Sequence, residues 1–342
     1  MKPGTLLIRA DANVAIGTGH VMRCLALAEA WQDAGGQSVL TTAEIPAVLA
    51  SRLESSGISV FHIETDPGSG EDAAATSSHA QQVRAAWIVV DGDRFDSHYL
   101  TSLGGEGLRV LLIDDFADRK TFPAELIVNP NLGADVESYR VKNRVAQVLT
   151  GPRYVLLRRE FQSTEQRRFP EHGKRILITL GGSDPEELTP RIAAALSDCS
   201  DLELTVVAGA GYPNAGPLQE LSATNLKVII DSQNMANLML SADIAVIAAG
   251  GTLWELISAG CAVLSYSRNA VQLRVVQELA RGGIVVDMGD TNRFDPAKLE
   301  SAVKSLAESV PARKRMAERG WKLVDGRGAA RIVEAMQQSE GR

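Results

Sequence analysis

Short apolar runs alternate with longer amphipathic stretches along the first half of the chain. The apolar runs predict strands at 5–10, 38–42, 58–63, 87–91, 110–114, 126–129 and 145–150. The amphipathic stretches predict helices at 20–34, 45–56, 72–85 and 97–104. Near-continuous apolar strands that are separated by helices are typical of βαβ units, whose parallel sheets are covered on both faces.

The alternation stops in the arginine-rich segment 151–171 and then restarts. The second set of strands is predicted at 175–179, 204–208, 227–230, 244–247, 262–266 and 284–286, with helices at 186–197, 235–240, 252–259, 271–281, 296–309, 312–324 and 329–338. We therefore predict an α/β protein with two doubly wound, Rossmann-like domains: 1–160, a linker at 161–173, and 174–342. Ligands bind outside the carboxyl ends of such strands, so two sheets that face each other across a cleft predict one ligand between them.

A glycine-rich turn follows the first strand and ends in a histidine. Gly17 and Gly19 permit close backbone approach, and His20 falls in the first turn of the next helix. A helix N-terminus disfavours a protonated ring, so His20 is a candidate general base near neutral pH. The alternative is a structural turn with a capping residue. The polar cluster at the end of the same strand favours a substrate site: Arg9, Asp11 and Asn13.

A second glycine pair follows the strand at 244–247. Gly250, Gly251 and Thr252 open a helix and predict a phosphate cradle. Glu255 comes one turn later, where it can accept hydrogen bonds from a ribose diol. The alternative is a tight turn with a surface glutamate.

Three further segments of the second half carry weaker signals. The glycines of 181–185 either form a capped turn or line the site near a diphosphate. Ser232 and Met235 lie between a strand and a helix, where backbone groups can recognise a base, and Gln272 can reach a sugar.

Two aspartate pairs end strands in the first half, at Asp91/Asp93 and Asp114/Asp115. Such carboxylates can bind sugar hydroxyls or a metal, but no third ligand follows at a spacing that suggests a metal. We therefore expect no metal site.

Composition narrows the classes of partner. The 342 residues include 35 Lys+Arg and 42 Asp+Glu, a net charge of −7 that argues against nucleic-acid binding. No apolar run approaches the roughly 20 residues needed to span a bilayer, and no hydrophobic leader follows Met1. The three cysteines form no metal-binding spacing. We expect a cytoplasmic protein without membrane insertion, as a monomer or homodimer.

Four motifs in the same order resemble one family. They are the segments 9–24, 151–158, 181–185 and 250–255. They are similar to those of the UDP-sugar hydrolases of the pseudaminic acid pathway and of related spore-coat polysaccharide proteins. The resemblance implies a GT-B fold, a UDP-sugar as the small-molecule partner, hydrolysis to UDP and free sugar, and no metal or cofactor.

The resemblance also assigns roles. His20 is expected to activate water for attack on the anomeric carbon with inversion, Gly250–Thr252 to hold the diphosphate, and Glu255 to hold the ribose. The full set of expected substrate-binding residues is Arg9, Asp11, Gly17, Thr18, Gly19, Asp93, Gly182, Ser232, Met235, Gly250, Gly251, Thr252, Glu255 and Gln272.

Two positions depart from the family pattern. Asp91-Gly92-Asp93 stands where the family has Asp-x-Tyr, and Val271-Gln272 stands where it has Asn-Gln. Both positions concern the sugar, so its identity stays open. A glycosyltransferase with the same UDP site and a non-catalytic nucleotide-sugar-binding protein remain alternatives.

Overall fold

The computed structural model describes residues 3–13, 15–103, 107–143, 145–162, 167–181, 184, 186–209, 212, 218, 223–230, 232 and 234–339. The chain divides into two compact units. The first comprises Met1–Gln162 and Gly326–Arg342, and the second comprises Ser163–Asp325.

The first unit is built on a seven-stranded parallel sheet with the order β3-β2-β1-β4-β5-β6-β7. The strands are β1 Thr5–Ala10, β2 Gln37–Thr42, β3 Ser59–His62, β4 Ala85–Asp91, β5 Val110–Ile113, β6 Leu126–Asn129 and β7 Gln147–Thr150. The helices are α1 Gly19–Asp33, α2 Ala47–Ser55, α3 Gly70–Gln82, α4 Ser97–Leu103 and α5 Glu137–Arg140. The central strands are buried because helices cover the sheet, as their apolar runs predict.

The second unit has a six-stranded parallel sheet with the order β10-β9-β8-β11-β12-β13. Its strands are β8 Arg175–Thr179, β9 Glu203–Ala208, β10 Leu226–Ile230, β11 Ile244–Ala248, β12 Ala262–Ser267 and β13 Val285–Asp290. Its helices are α6 Leu188–Ser197, α7 Met235–Ser241, α8 Gly251–Ser258, α9 Ala270–Arg281, α10 Pro296–Glu308 and α11 Val310–Leu323.

The last helix, α12 Gly328–Ser339, packs along α1 in the first unit. Its buried residues Ile332, Val333 and Met336 join the apolar cluster that contains Trp31. The structure therefore differs from the predicted C-terminal domain of 174–342, which included this helix. Periodicity reveals an apolar helix face but does not say which unit the face covers.

Both sheets reverse strand order beside their first strand. In the first unit β1 lies between β2 and β4, and in the second unit β8 lies between β9 and β11. Loops on the two sides of such a switch point diverge, and ligands bind there in open α/β sheets. None of the helices in the described ranges is long and apolar enough to cross a membrane.

Candidate active site and nucleotide site

His20 and Asp91 meet at the carboxyl edge of the first sheet. His20 lies in the first turn of α1, and Asp91 is the last residue of β4. The ring Nδ1 is 2.8 Å from Asp91 Oδ1, with the carboxylate fully buried and the His20 side chain 19% exposed. A carboxylate only accepts hydrogen bonds, so the neutral ring carries its proton on Nδ1. The lone pair is then on Nε2.

Arg23 lies one turn further along α1 and holds Asp91 from its other side. Its Nε donates to Asp91 Oδ2 and its Nη2 donates to Asp91 Oδ1, both at 2.6 Å. The same guanidinium donates two hydrogen bonds of 2.9 Å to Asp115, which also accepts one of 2.8 Å from Asn131. Arg23 Nη2 is 3.3 Å from His20 Nδ1. A guanidinium cannot donate to a protonated nitrogen, so the shorter contact with Asp91 decides the tautomer.

These contacts shift both pKa values. Burial alone would raise the pKa of Asp91, but the charge and hydrogen bonds of Arg23, with the bond from His20, lower it to about 2. Burial lowers the pKa of His20, and the hydrogen bond and charge of Asp91 outweigh that effect and raise it above 6.5. The helix N-terminus alone predicted a neutral ring. The buried carboxylate, which the sequence interpretation did not pair with His20, acts in the opposite direction.

Arg9 lies in the interior of the first unit. Its Nε and Nη2 donate to Asp72 at 2.9 and 2.6 Å, and its Nη1 donates to Asp11 at 2.6 Å. Tyr99 donates to the same Asp72 carboxylate at 2.8 Å. Arg9 is fully buried, so the structure contradicts the prediction that Arg9 contacts a substrate. It ties β1 to α3 instead.

Asp11 has a divided role. Its Oδ1 accepts hydrogen bonds from Arg9, from Thr42 Oγ1 at 2.9 Å and from the Ala43 amide at 2.8 Å, which fastens the end of β1 to the loop after β2. Its buried Oδ2 has no hydrogen-bond partner among the described residues. The role of Asp11 as a substrate ligand stays a prediction.

The turn before α1 leaves backbone groups accessible. Gly17 has a φ of +74°, which favours glycine, and its amide donates to Asn13 O at 2.8 Å. Among the described residues, the side chain of Thr18 makes no capping hydrogen bond to α1, and both Thr18 and Gly19 are exposed. Asp93 is also exposed, two residues beyond Asp91. These four predicted residues thus share the edge of the sheet with His20.

The glycine pair of the second unit lies at the start of α8, directly after β11. A Cβ atom on Gly250 or Gly251 would have no atom within 4 Å, so the backbone there is open to a ligand. Within the described chain, no side chain caps this helix. Thr252 and Glu255 are partly exposed three residues apart, a spacing that places them on one helix face.

The residues predicted for the base and the sugar in the second unit also follow strand ends. Ser232 comes after β10, where its hydroxyl accepts the Asn234 amide at 3.2 Å, and Met235 begins α7. Gln272 lies in α9, where its Oε1 accepts the Arg268 amide at 2.8 Å. Gly182 lies outside the described residues.

Similarity to known proteins agrees with this architecture. No protein-family model matches the chain. The chain is 26% identical over 235 residues to the spore coat polysaccharide biosynthesis protein SpsG of Bacillus subtilis, covering 67% of this chain and 69% of that protein. It is 23% identical over 279 residues to the uncharacterized protein MJ1062 of Methanocaldococcus jannaschii, and spans 56% of that protein's length. It is 26% identical over 290 residues to a Campylobacter jejuni UDP-2,4-diacetamido-2,4,6-trideoxy-β-L-altropyranose hydrolase, covering 82% of this chain and 98% of the hydrolase.

Solved structures match over nearly the full length of the chain. MurG of Acinetobacter baumannii matches with a TM-score of 0.65 and 16% identity over 98% of this chain and 99% of that one. The glycotransferase of kitacinnamycin matches with a TM-score of 0.69 and 15% identity, over 99% of each chain. The predicted fold class is confirmed: the chain has the two parallel-sheet α/β domains of the GT-B fold.

Proposed function

We propose that the chain hydrolyses a UDP-linked sugar to UDP and the free sugar. The first unit supplies the general base, His20, and the second unit binds the UDP moiety at Gly250–Thr252. The observation that carries the proposal is the His20–Asp91 pair at the carboxyl edge of the first sheet. Similarity to a UDP-sugar hydrolase over 98% of that protein's length supports hydrolysis.

The reaction needs one proton transfer and one displacement. His20 Nε2 takes a proton from water while the water oxygen bonds to the anomeric carbon. The bond from that carbon to the UDP oxygen breaks, and UDP leaves with the electron pair. Attack from the face opposite to UDP inverts the anomeric carbon. Amides at the start of α8 are suited to stabilise the charge that develops on the diphosphate.

Asp91 acts on the base and does not contact the substrate. Its fully buried carboxylate fixes the proton of the neutral ring on Nδ1 and leaves Nε2 to accept a proton. When Nε2 becomes protonated, the negative charge of Asp91 stabilises the imidazolium. Asp91 is therefore a positioning residue, and Arg23 holds it in place.

Similarity to the hydrolase relative supports a proposal for the substrate class. We propose a UDP-linked diacetamido-trideoxy sugar. Asp93 and Gln272 are its proposed sugar contacts, together with Asp11, Gly17, Thr18 and Gly19; Ser232 and Met235 are proposed for the base and Glu255 for the ribose.

The test is UDP release from UDP-2,4-diacetamido-2,4,6-trideoxy-β-L-altropyranose without an added acceptor, with the anomer of the product followed by NMR. We expect release of UDP with the inverted free sugar. His20→Asn should abolish turnover and leave UDP affinity, measured by calorimetry, unchanged. His98→Asn is the matched control, because His98 is exposed on α4. An H20N variant that keeps most of the activity would contradict this mechanism.

A glycosyltransferase is the second candidate, because solved structures with this fold include glycosyltransferases. The same base would then take the proton of an acceptor hydroxyl. UDP release that depends on an added acceptor would favour transfer. UDP binding without turnover of any UDP-sugar would instead favour a non-catalytic binding protein.

A further inference from the structure

An arginine of the second unit pairs with two carboxylates at the carboxyl end of the sheet. Arg268 follows β12, whereas Asp184 and Glu186 follow β8, and β11 lies between those two strands. Arg268 Nε is 3.3 Å from Glu186 Oε2, and Arg268 Nη2 is 3.6 Å from Asp184 Oδ1. Parallel strands end at the same edge of a sheet, so these ion pairs share that edge with Gly250, which follows β11.

We propose that Arg268 is a diphosphate ligand that exchanges its carboxylate partners for the phosphates of a bound nucleotide. The inference rests on the proposed UDP site and adds a side-chain cation to it. Backbone amides of α8 and the guanidinium would then approach the diphosphate from two sides. An Arg fork suits phosphate because it presents paired donors in one plane.

The contacts of Arg268 with the two carboxylates are longer than ordinary charge-assisted hydrogen bonds. Charge-assisted N–H···O bonds are about 2.7–2.9 Å, whereas these distances are 3.3 and 3.6 Å. Asp184 Oδ1 and Glu186 Oε2 are buried oxygens without a hydrogen-bond partner in the described chain. The other oxygen of Asp184 accepts the Thr189 amide at 2.6 Å, which commits that carboxylate to the start of α6. Replacing these two carboxylates as partners of Arg268 therefore gives up contacts of only 3.3 and 3.6 Å.

The backbone of Arg268 is anchored while its side chain is partly accessible. The Arg268 amide donates to Gln272 Oε1 at 2.8 Å, and Asn269 caps α9 by accepting the Gln272 amide at 2.9 Å. The Arg268 side chain is 22% exposed. A rotation of the side chain can thus bring the guanidinium to a ligand without movement of the loop.

Calorimetry with UDP, uridine and pyrophosphate tests the assignment on the full chain. Arg268→Met should weaken binding of UDP and pyrophosphate at least tenfold and leave uridine affinity within twofold. Arg268→Lys should fall between wild type and Arg268→Met, because it keeps the charge without the fork. Arg274→Met, at an exposed position on α9, the helix that follows Arg268, is the matched control and should bind all three ligands as wild type does.

Glu186→Gln distinguishes exchange from a purely structural contact. Removing the competing charge should tighten UDP binding two- to fivefold, whereas a purely structural role predicts equal or weaker binding. Equal losses for uridine and UDP in Arg268→Met overturn the assignment, as does unchanged or weaker UDP binding in Glu186→Gln. Melting temperatures within a few degrees of wild type show that the variants are folded.

The same measurements separate this inference from the proposed function. If UDP binding depends on Arg268 while no UDP-sugar is hydrolysed, hydrolysis fails and the diphosphate ligand stands. If the wild-type chain hydrolyses the UDP-sugar and Arg268→Met binds UDP normally, the ligand assignment fails and hydrolysis stands. A wild-type chain that binds neither UDP nor pyrophosphate overturns both.

Discussion

Replacing Asp91 with asparagine removes one buried charge and keeps the shape of the side chain. The carboxylate is fully buried and accepts hydrogen bonds from His20 and, twice, from Arg23. An amide oxygen can replace one acceptor, but the amide nitrogen faces donors. We therefore expect Asp91→Asn to lower the stability of the first unit at neutral pH.

The size of the effect follows from the pKa of Asp91. That pKa falls from its ordinary value of 3.8 to about 2 in the folded protein. A tenfold change in an ionisation constant corresponds to about 1.4 kcal/mol. Ionised Asp91 therefore contributes about 2 kcal/mol to the free energy of unfolding at pH 7. Because the folded pKa is depressed, this contribution is fully present above 3.8 and is lost as the pH falls through 2. At pH 3 it is about 1 kcal/mol.

Hydrogen exchange of β4 peptides in urea measures this difference within the first unit. The wild type and Asp91→Asn should differ by about 2 kcal/mol at pH 7 and by about 1 kcal/mol at pH 3. Asp93→Asn is the control, because Asp93 is exposed two residues away. A gap that stays the same at both pH values, or one below about 0.5 kcal/mol at pH 7, would refute the electrostatic reasoning.

Three further predictions concern activity, nucleotide access and the last helix. The kcat/KM of the wild type should rise with pH through an apparent pKa above 6.5, because the base must be deprotonated and Asp91 raises the pKa of His20. Asp91→Asn should move this rise in kcat/KM to lower pH. A rise at an unchanged pH would contradict the pairing of His20 with Asp91. Gly250→Val should abolish UDP binding without changing the melting temperature, because a Cβ atom at this position has no protein atom within 4 Å and would occupy the space of the ligand. A normal UDP affinity, measured by calorimetry, would place the diphosphate elsewhere. Deleting 326–342 should lower the free energy of unfolding of the first unit by roughly 5 kcal/mol, because the burial of Ile332, Val333 and Met336 is lost. Hydrogen exchange should then accelerate in β1–β7 but not in β8–β13.

The strands of both units could be predicted from the sequence because most of them contain an apolar run between polar turns. The end of β13 could not be predicted in this way, because Asp287, Gly289 and Asp290 interrupt its apolar run. The short helix α5 was missed, since four residues are too few for a helical period to appear. The unit against which α12 packs could not be predicted either, because the pattern of its apolar residues fits a helix that covers either unit.

The candidate site was predictable in its histidine but not in the partners of that histidine. His20 and Asp91 are 71 residues apart, and only the pairing of β1 with β4 brings them together. One local signal was available: His20 and Arg23 are three residues apart, a spacing that places them on the same face of α1. Arg9 carried a signal against a ligand role, because a charged residue within a buried strand requires an internal partner such as Asp72.

The return of the chain to the first unit has a consequence for biosynthesis. A nascent chain emerges from the ribosome with its N-terminus first, so all seven strands of the first sheet emerge long before Gly328–Ser339. The second unit is continuous, from Ser163 to Asp325, and its whole sequence is made before the last segment of the first. The nascent first unit therefore exposes the apolar side of α1 while the second is synthesised. Its final packing takes place only after the second unit has been synthesised.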